Sequence, residues 1–414
     1  MTRPLAFQAL PITAWTATCA AGTGRDALFT ALREGRSGLR PNDFNALPAP
    51  THIGSIDELD GADAPHLPAE LNQWDCRSHR LAWLALQQDG FLDAARAAVD
   101  RFGAHRVAVL VGTSTSSIGA SEAAYRTLAP DGGFAPEWLR PQVHTLHSLG
   151  GFVSAATGAQ GPSCTVATAC SSSAKVFAQA ERLIRCGVVD AAVVGGVDTL
   201  CDSVLYGFHA LGLVASAPCQ PFDAARQGIS LAEAGGFALL MRPGALTASS
   251  DVLWLRGHGE SSDAHHMSAP HPQGLGARLA ITEALHCAGL PAHEIDYLHL
   301  HGTATRQNDQ VEGEAVAALF QHDMPVSSTK GWTGHALGSA GILGAVVCLL
   351  ALREGWAPGT LNLAVPDPAL PAHFRAMLQA RASTGRLRHT MCNAFGFGGN
   401  NASLVFSRDA GASA

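Results

Sequence analysis

The sequence has little charge. Only 15% of its 414 residues are Asp, Glu, Lys or Arg, and the net charge of −7 is modest. It contains no basic arm and no basic-aromatic stripe, which argues against a general nucleic-acid binder. The ten cysteines form no CxxC pair and follow no regular spacing. That pattern excludes a disulfide framework and fits reduced thiols in the cytoplasm. No basic stretch followed by an apolar run opens the chain, so no signal peptide is expected. The most apolar run, Ala340–Leu352, has 13 residues and includes Gly341 and Gly344. It is too short to span a bilayer and reads as a buried helix. The phosphate-loop pattern GxxxxGK[ST] occurs nowhere.

What is present points to a buried sheet. The chain is 47% hydrophobic, with 44 Gly and 22 Pro, a composition of compact proteins rather than disordered ones. Its length allows two domains or one double-sized unit. Ile12–Cys19 reads as a first strand and Gly24–Gly35 as a short helix. Residues 36–75 read as irregular surface structure, and Arg77–Asp100 as a helix broken near Gly90. Val107–Val111 and Val188–Gly196 are continuous apolar runs ending in glycines, the mark of fully buried strands. Leu146–Ala159 is helical by pattern, and Phe237–Met241 is a third strand.

After a polar break at Pro243–Asp251 the same grammar restarts. Val252–Arg256, Asp296–Leu300, Val326–Ser328 and Ser403–Phe406 read as strands. Leu275–Gly289, Glu312–Phe320 and His335–Arg353 read as helices. Strands alternating with helices imply a parallel or mixed sheet covered on both faces. The expectation is an α/β protein of two similar halves, residues 1–247 and 248–414. Ligands in such sheets sit beyond the strand ends.

One stretch organises the rest: GPSCTVATACSSSAKVFAQAERLIRCGVVDAAVVGGVDTL, residues 161–200. Before Cys170 the residues are small, β-branched or polar. After it the period becomes helical, with Ala174, Phe177, Ala178 and Ile184 on an apolar face. Lys175, Glu181, Arg182 and Arg185 fall on a face expected to be solvated. Gly187 stops the helix. Cys170 therefore sits at a turn opening a helix, where unpaired N–H groups and the helix dipole favour a thiolate. By local context it is either a nucleophile or a small buried hydrophobe.

Two histidines resemble it in placement. His301 follows a buried strand in HLHGTATRQNDQVEGE, and His335 stands at an expected helix start in SSTKGWTGHALGSAGILGA. Either alone reads as a hydrogen-bonded core histidine. Together with Cys170, all at strand or helix ends among small residues, they point to one site. A neutral imidazole can donate to a thioester carbonyl, and two can stabilise an enolate. The glycines of Asn393–Gly399 form an ordinary turn or present an N–H to an oxyanion. The histidine cluster at Asp263–His271 lacks a matching ligand set for a metal and reads as a loop near a substrate entrance.

Five stretches now carry a resemblance: TACSSS at 168–173, QPFDAARQG at 220–228, HGTATRQND at 301–309, STKGWTGHALGSAG at 328–341 and NAFGFGGNN at 393–401. In that order and spacing the chain resembles a β-ketoacyl-acyl-carrier-protein synthase (ketosynthase) of the thiolase superfamily. The resemblance implies a thiolase-like fold, a five-layered α-β-α-β-α arrangement of two halves. It implies a decarboxylative condensation in which Cys170 takes the acyl chain and His301 and His335 act on malonyl thioester. Lys330 would pair with Glu312 and support the site. Backbone N–H groups of Cys170 and Phe397 would form the oxyanion hole. Thr303 and Thr305 would bind the pantetheine arm, with Phe395 and the gating Phe397 against the substrate.

The resemblance requires no metal and no cofactor of the protein's own; the phosphopantetheine belongs to the acyl carrier protein. The partners it implies are that carrier, bearing malonyl or acyl groups, and a second subunit, identical or ketosynthase-like. Two alternatives are a non-catalytic chain-length factor, which usually lacks the cysteine, and a thiolase-like coenzyme A acyltransferase. The latter needs a second cysteine, and Cys392 reads as structural. Two departures from the family pattern, Ala232–Gly236 in place of Gly-Glu-Gly-Ala-Gly and Asn400 in place of Thr, lie in supporting positions. With GVDTLCDSVLYGF at 196–208 they suggest a specialised synthase, of polyene or aryl-polyene type.

Overall fold

Apolar runs without polar interruption become the buried strands. In the computed structural model, which describes residues 7–61, 64–246 and 252–409, β1 is Leu10–Cys19, β2 Val107–Gly112, β3 Ser163–Val166, β4 Ala191–Asp198 and β5 Ala234–Met241. The second half contributes β6 (Leu253–Ser262), β7 (Tyr297–His299), β8 (Val326–Ser327), β9 (His389–Gly396) and β10 (Asn400–Ser407). They run in the order β8-β7-β9-β10-β6-β1-β5-β4-β2-β3. The sheet is mixed: β2 is parallel to β3 and β4, and β7 to β8 and β9, while the remaining neighbours are antiparallel. Among the described residues, three residue pairs, from Leu10–Leu255 to Ile12–Leu253, join the two halves of the sheet. The expected boundary at 247/248 lies outside the described residues.

The helices divide into three layers. In the first half they are α1 (Arg25–Glu34), α2 (Arg77–Leu86), α3 (Phe91–Phe102), α4 (Ile118–Arg126), α5 (Ser148–Thr157), α6 (Ser172–Arg185) and α7 (Asp202–Ala210). In the second they are α8 (Leu275–Ala288), α9 (Arg306–Leu319), α10 (Lys330–Thr333), α11 (Ala340–Glu354) and α12 (Ala372–Met377). α2, α3 and α5 cover one outer face, with Leu81, Phe91 and Phe152 in its core. α8, α9 and α12 cover the other, with Ile281, Val316 and Phe374. α6 and α11 lie between, and Phe177 and Ile342 pack there with strands of both halves. Helix, sheet, helix, sheet and helix therefore stack in turn, the expected five-layered arrangement. Each buried aromatic or branched side chain contributes roughly 1.5–3 kcal/mol by leaving water.

The middle layer explains why much of the polar face of α6 is not solvated, while Arg182, as expected, keeps 51% of its side chain exposed. Glu181 is 1% exposed; its carboxylate accepts from Arg185 at 2.8 Å and lies 3.4 Å from His258 Nε2. Lys175 is half-buried. Small residues let this layer close. A Cβ on Gly341 would meet Ala174 N at 2.5 Å, so α11 crosses α6 with its backbone nearly touching. The segment Leu337–Glu354 is long and apolar enough to cross a membrane, at mean hydropathy 1.7, but 83% of it is buried inside the protein. It is a core helix, and α11 within it supplies many of the central contacts.

Several elements depart from their expected bounds. The helix expected over Arg77–Asp100 is broken where foreseen, with Asp89 and Gly90 at φ 57° and 71°. α9 starts at Arg306 instead of Glu312, because Thr305 is extended and Asp309 sits in the first turn. The small-residue helix starts at Ala340, so His335 precedes it in a loop. Gly334, at φ 68°, ends α10 and breaks the run there. The Gly-rich stretch near the end is the tip of the β9–β10 hairpin.

Candidate active site

The turn that carries Cys170 is built from small polar residues. Ala169 takes φ 53°, turning the chain sharply between β3 and α6. Ser172 Oγ donates to the Ala169 carbonyl at 2.6 Å and accepts the Thr168 N–H at 2.9 Å, and Ser171 Oγ donates to the Thr168 carbonyl at 2.9 Å. These bonds fix Cys170 just ahead of the helix. Its side chain is buried, and the backbone N–H groups of Phe397 and of Cys170 itself point at the sulfur. A Cβ on Gly396 would come within 2.7 Å of the Thr168 carbonyl, so glycine lets the hairpin approach this closely.

Both histidines converge on that sulfur. His335 Nε2 lies 3.1 Å from Cys170 Sγ. The His301 ring stands edge-on to the His335 ring, centroids 5.4 Å apart and planes at 84°. The donor atoms of Cys170, His301 and His335 all lie within 4.8 Å of one another, and all three residues are buried. Such a trio is near enough to hold a metal, but the buried ammonium of Lys330 makes the place electropositive. The arrangement suits an anion better than a cation.

Each histidine is held through its backbone. His301 N–H donates to Glu312 Oε1 and Gly302 N–H to Oε2, both at 2.8 Å. Lys330 Nζ donates to the His301 carbonyl. The expected Lys330–Glu312 pair is therefore not a direct one: the two charges hold the same residue from opposite sides. Asn393 Nδ2 adds a third donor to Glu312 at 3.1 Å. His335 is gripped by the first half: its N–H donates to the Ser230 carbonyl at 2.7 Å, and Ala232 N–H donates back at 3.1 Å. Ala232 thus touches the His335 backbone, and a Cβ on Gly334 would meet the Ala232 methyl at 2.6 Å.

Burial sets the charge states. It pushes the Cys170 thiol up to about 11, outweighing Lys330 and the two N–H groups that pull the other way. The expected resting thiolate is thus not favoured. Burial, aided by Lys330, holds His301 and His335 well below the usual imidazole range. Glu312 is raised to about 7 and Lys330 is lowered, each by loss of water. At neutral pH the trio is a thiol beside two neutral imidazoles.

The site opens into a cavity of about 350 Å³. Thr303, Thr305, Phe395 and Phe397 line it, with Phe208 and Asp263. The Thr303 and Thr305 hydroxyls bond each other at 2.9 Å. Phe397 leans on Phe208, centroids 5.7 Å apart. The 263–271 loop contributes Ser268, Ala269 and Pro270 to the wall. Cys392 lies apart, buried against Gly344 in the core.

Sequence reasoning missed Asp198. Fully buried at the end of β4, it accepts from the Thr113 and Thr115 hydroxyls, from the N–H groups of Ser114 and Thr115, and from Gly338 N–H at 2.6 Å. It ties two strand ends to the turn after His335. A lone acid closing an apolar strand was the available signal. Arg226, in the QPFDAARQG stretch, is buried, with Nη1 2.5 Å from Asp367 and Nε 3.5 Å from Asp309 at the start of α9.

Comparison with known proteins decides the family. Residues 9–244 match the beta-ketoacyl synthase N-terminal domain, and 253–364 the C-terminal domain. The chain belongs to the beta-ketoacyl synthase family. This beta-ketoacyl synthase is 32% identical over 412 residues to Nodulation protein E of Rhizobium meliloti, covering 96% of this chain and 98% of that one. It is 29% identical to the 3-oxoacyl-[acyl-carrier-protein] synthase 2 of Coxiella burnetii, over 92% and 94% of the chains. Among solved structures it resembles the ketosynthase ApeO in complex with its chain length factor ApeC from Xenorhabdus doucetiae. That match has 35% identity, a TM-score of 0.86, and 97% and 98% coverage. The synthase is a condensing acyltransferase of thiolase-like fold.

Proposed function

We propose that this synthase extends a specialised, polyene- or polyketide-type acyl chain in the cytoplasm, taking its substrates from an acyl carrier protein. A second, ketosynthase-like chain works beside it. The observation that carries this reading is the 35% identity, across nearly both whole chains, to the complex of ApeO with its chain length factor. The sheet supports it: β3 ends the strand order, with one edge paired to β2. Tyr125, Leu139 and Leu146 are large apolar residues left 67%, 64% and 54% exposed in the same half. The intact Cys170, His301 and His335 favour the catalytic member of such a pair over the chain-length factor. The free state of all ten cysteines supports a reducing compartment.

In the reaction we propose, Cys170 sulfur attacks the carrier-bound thioester carbonyl. Its proton leaves through His335 Nε2, and the carrier thiol departs with it. The N–H groups of Cys170 and Phe397 hold the oxyanion. Malonyl thioester then enters past Thr303 and Thr305. Its carboxylate carbon–carbon bond breaks, carbon dioxide leaves, and the electron pair forms an enolate held by N–H donors of His301 and His335. The enolate carbon attacks the acyl-cysteine, the carbon–sulfur bond breaks, and the thiolate regains a proton from solvent. Neutral imidazoles suit the enolate because each keeps one N–H to donate.

The test is intact-mass spectrometry after mixing with carrier-bound acyl chains of varied length and unsaturation, with and without a candidate partner chain. The expected result is an adduct on Cys170, strongest with an unsaturated chain. A preference for long saturated chains would overturn the pathway, and a homodimer indifferent to any partner would overturn the pairing.

A further inference from the structure

The hairpin carrying the Phe397 oxyanion donor is held from two directions. β9 ends at Gly396, whose register partner Asn400 begins β10. Between them Gly398 and Gly399 take φ 78° and 72°. The 263–271 loop grips one flank: Gly398 N–H donates to the Met267 carbonyl at 2.7 Å, and Asp263 N–H to the Gly399 carbonyl at 2.8 Å. The other hold comes from the nucleophile's own helix. Lys175, five residues after Cys170, donates from Nζ to Asn400 Oδ1 at 3.0 Å.

Several features set this contact apart from a chance surface bond. Lys175 is half-buried, and loss of water works against its charge. The neighbouring carboxylate, Glu260, is already engaged by Arg182 at 2.5 Å. An apolar side chain would fill the place at less cost than a lysine. The contact closes a ring: Cys170, helix α6, Lys175, Asn400, the hairpin tip, Phe397 N–H and back to the Cys170 sulfur.

We propose that Lys175 is a positioning residue: its bond to Asn400 sets the Phe397 N–H against Cys170, so that the helix bearing the nucleophile also places the oxyanion donor. The proposal rests on the acyl-transfer reading above, because thioester attack is the step it acts on. It does not depend on the carrier protein or on the pathway.

The experiment compares two reactions of Cys170 in the full chain. Acylation by octanoyl-N-acetylcysteamine builds an oxyanion and needs no carrier. Alkylation by iodoacetamide joins sulfur to carbon with loss of iodide and builds none. In Lys175→Met the acylation rate constant at saturating thioester should fall about tenfold, less than the loss of an oxyanion donor outright, because the N–H is displaced and not removed. The half-saturating concentration and the alkylation rate should stay unchanged. Asn400→Ala should match it, and the double variant should be no slower than either single one. Lys175→Arg should recover most of the rate. Unchanged acylation, a parallel fall in alkylation, or additive losses would overturn the proposal. If Lys175→Met does not fold, Asn400→Ala alone decides by the same split. A wild type that takes no octanoyl group would remove the acyl-enzyme itself and this role with it. One that takes octanoyl here but not from a carrier would remove only the carrier reading.

Discussion

Glu312 and Lys330 hold one residue between them without pairing with each other. Glu312 takes the N–H of His301, and Lys330 donates to its carbonyl. The backbone of a histidine at the sulfur is thus clamped by a buried acid and a buried base. Both are moved toward neutrality by loss of water.

Glu312→Gln should break that clamp. The amide offers one acceptor oxygen where two N–H groups wait, and its NH2 would face a donor. Activity should fall about a hundredfold, on the scale of a displaced catalytic group. The pH dependence carries a sign. A carboxyl raised to about 7 from 4.5 binds its proton more tightly folded than unfolded. Its contribution to stability is full below pH 4.5 and declines as pH rises to 7. Thermal unfolding followed from pH 5 to 7 should show that decline in the wild type and a flatter profile in the variant.

Cys170 should behave as a high-pKa thiol. With its pKa near 11, iodoacetamide alkylation at this residue should steepen steadily from pH 7 to pH 10 with no plateau. A plateau by pH 8 would show a resting thiolate. Cys170→Ala should leave no acyl adduct on the protein at all.

His335→Ala should separate the half-reactions. Enolate stabilisation loses a donor outright, so malonyl decarboxylation should drop by about a hundredfold or more. Acylation of Cys170 should drop less, about tenfold, because the oxyanion N–H groups remain. Equal losses in burst and decarboxylation assays would contradict the assigned division.

Asp198→Asn should cost stability as well as rate. Three backbone N–H groups and two hydroxyls converge on this carboxylate. An amide must turn its NH2 toward some of them, leaving buried donors unmet at about 2–4 kcal/mol in all. Urea unfolding should register that loss, and the turn after His335 should loosen with it.

The legible parts of the sequence were those where a residue's neighbours carry the signal. The shift in period at Cys170, the glycines at the end of β2 and within β4, and the break at Gly90 are local patterns. The mixed, doubly covered sheet of two halves followed from them, while the five-layered stacking followed from the family resemblance. Gly, Ala and Ser mix freely on both sides of Ala340, so the pattern runs the helix back to His335; the positive φ of Gly334 and of Leu337 keeps that stretch out of it. Lys175 and Glu181 were read as solvated because helical spacing reports one apolar face. It cannot report a second sheet covering the other. Lys330 and Glu312 act on each other by charge, but their direct partners are backbone groups of His301 and Gly302, which opposite charge alone does not foretell. Asp198 collects donors from Thr113 to Gly338, and no spacing within one element reveals such a hub.

His335 rests on the Ser230–Ala232 backbone, and β1 lies beside β6. During synthesis the cysteine therefore emerges well before either histidine, and β1 waits with one edge bare until β6 arrives. A nascent chain stopped midway carries a thiol with nothing to activate it. Cys170, His301, His335 and Phe397 come together only when the last hairpin packs on the first half, so a chain truncated midway lacks the assembled site.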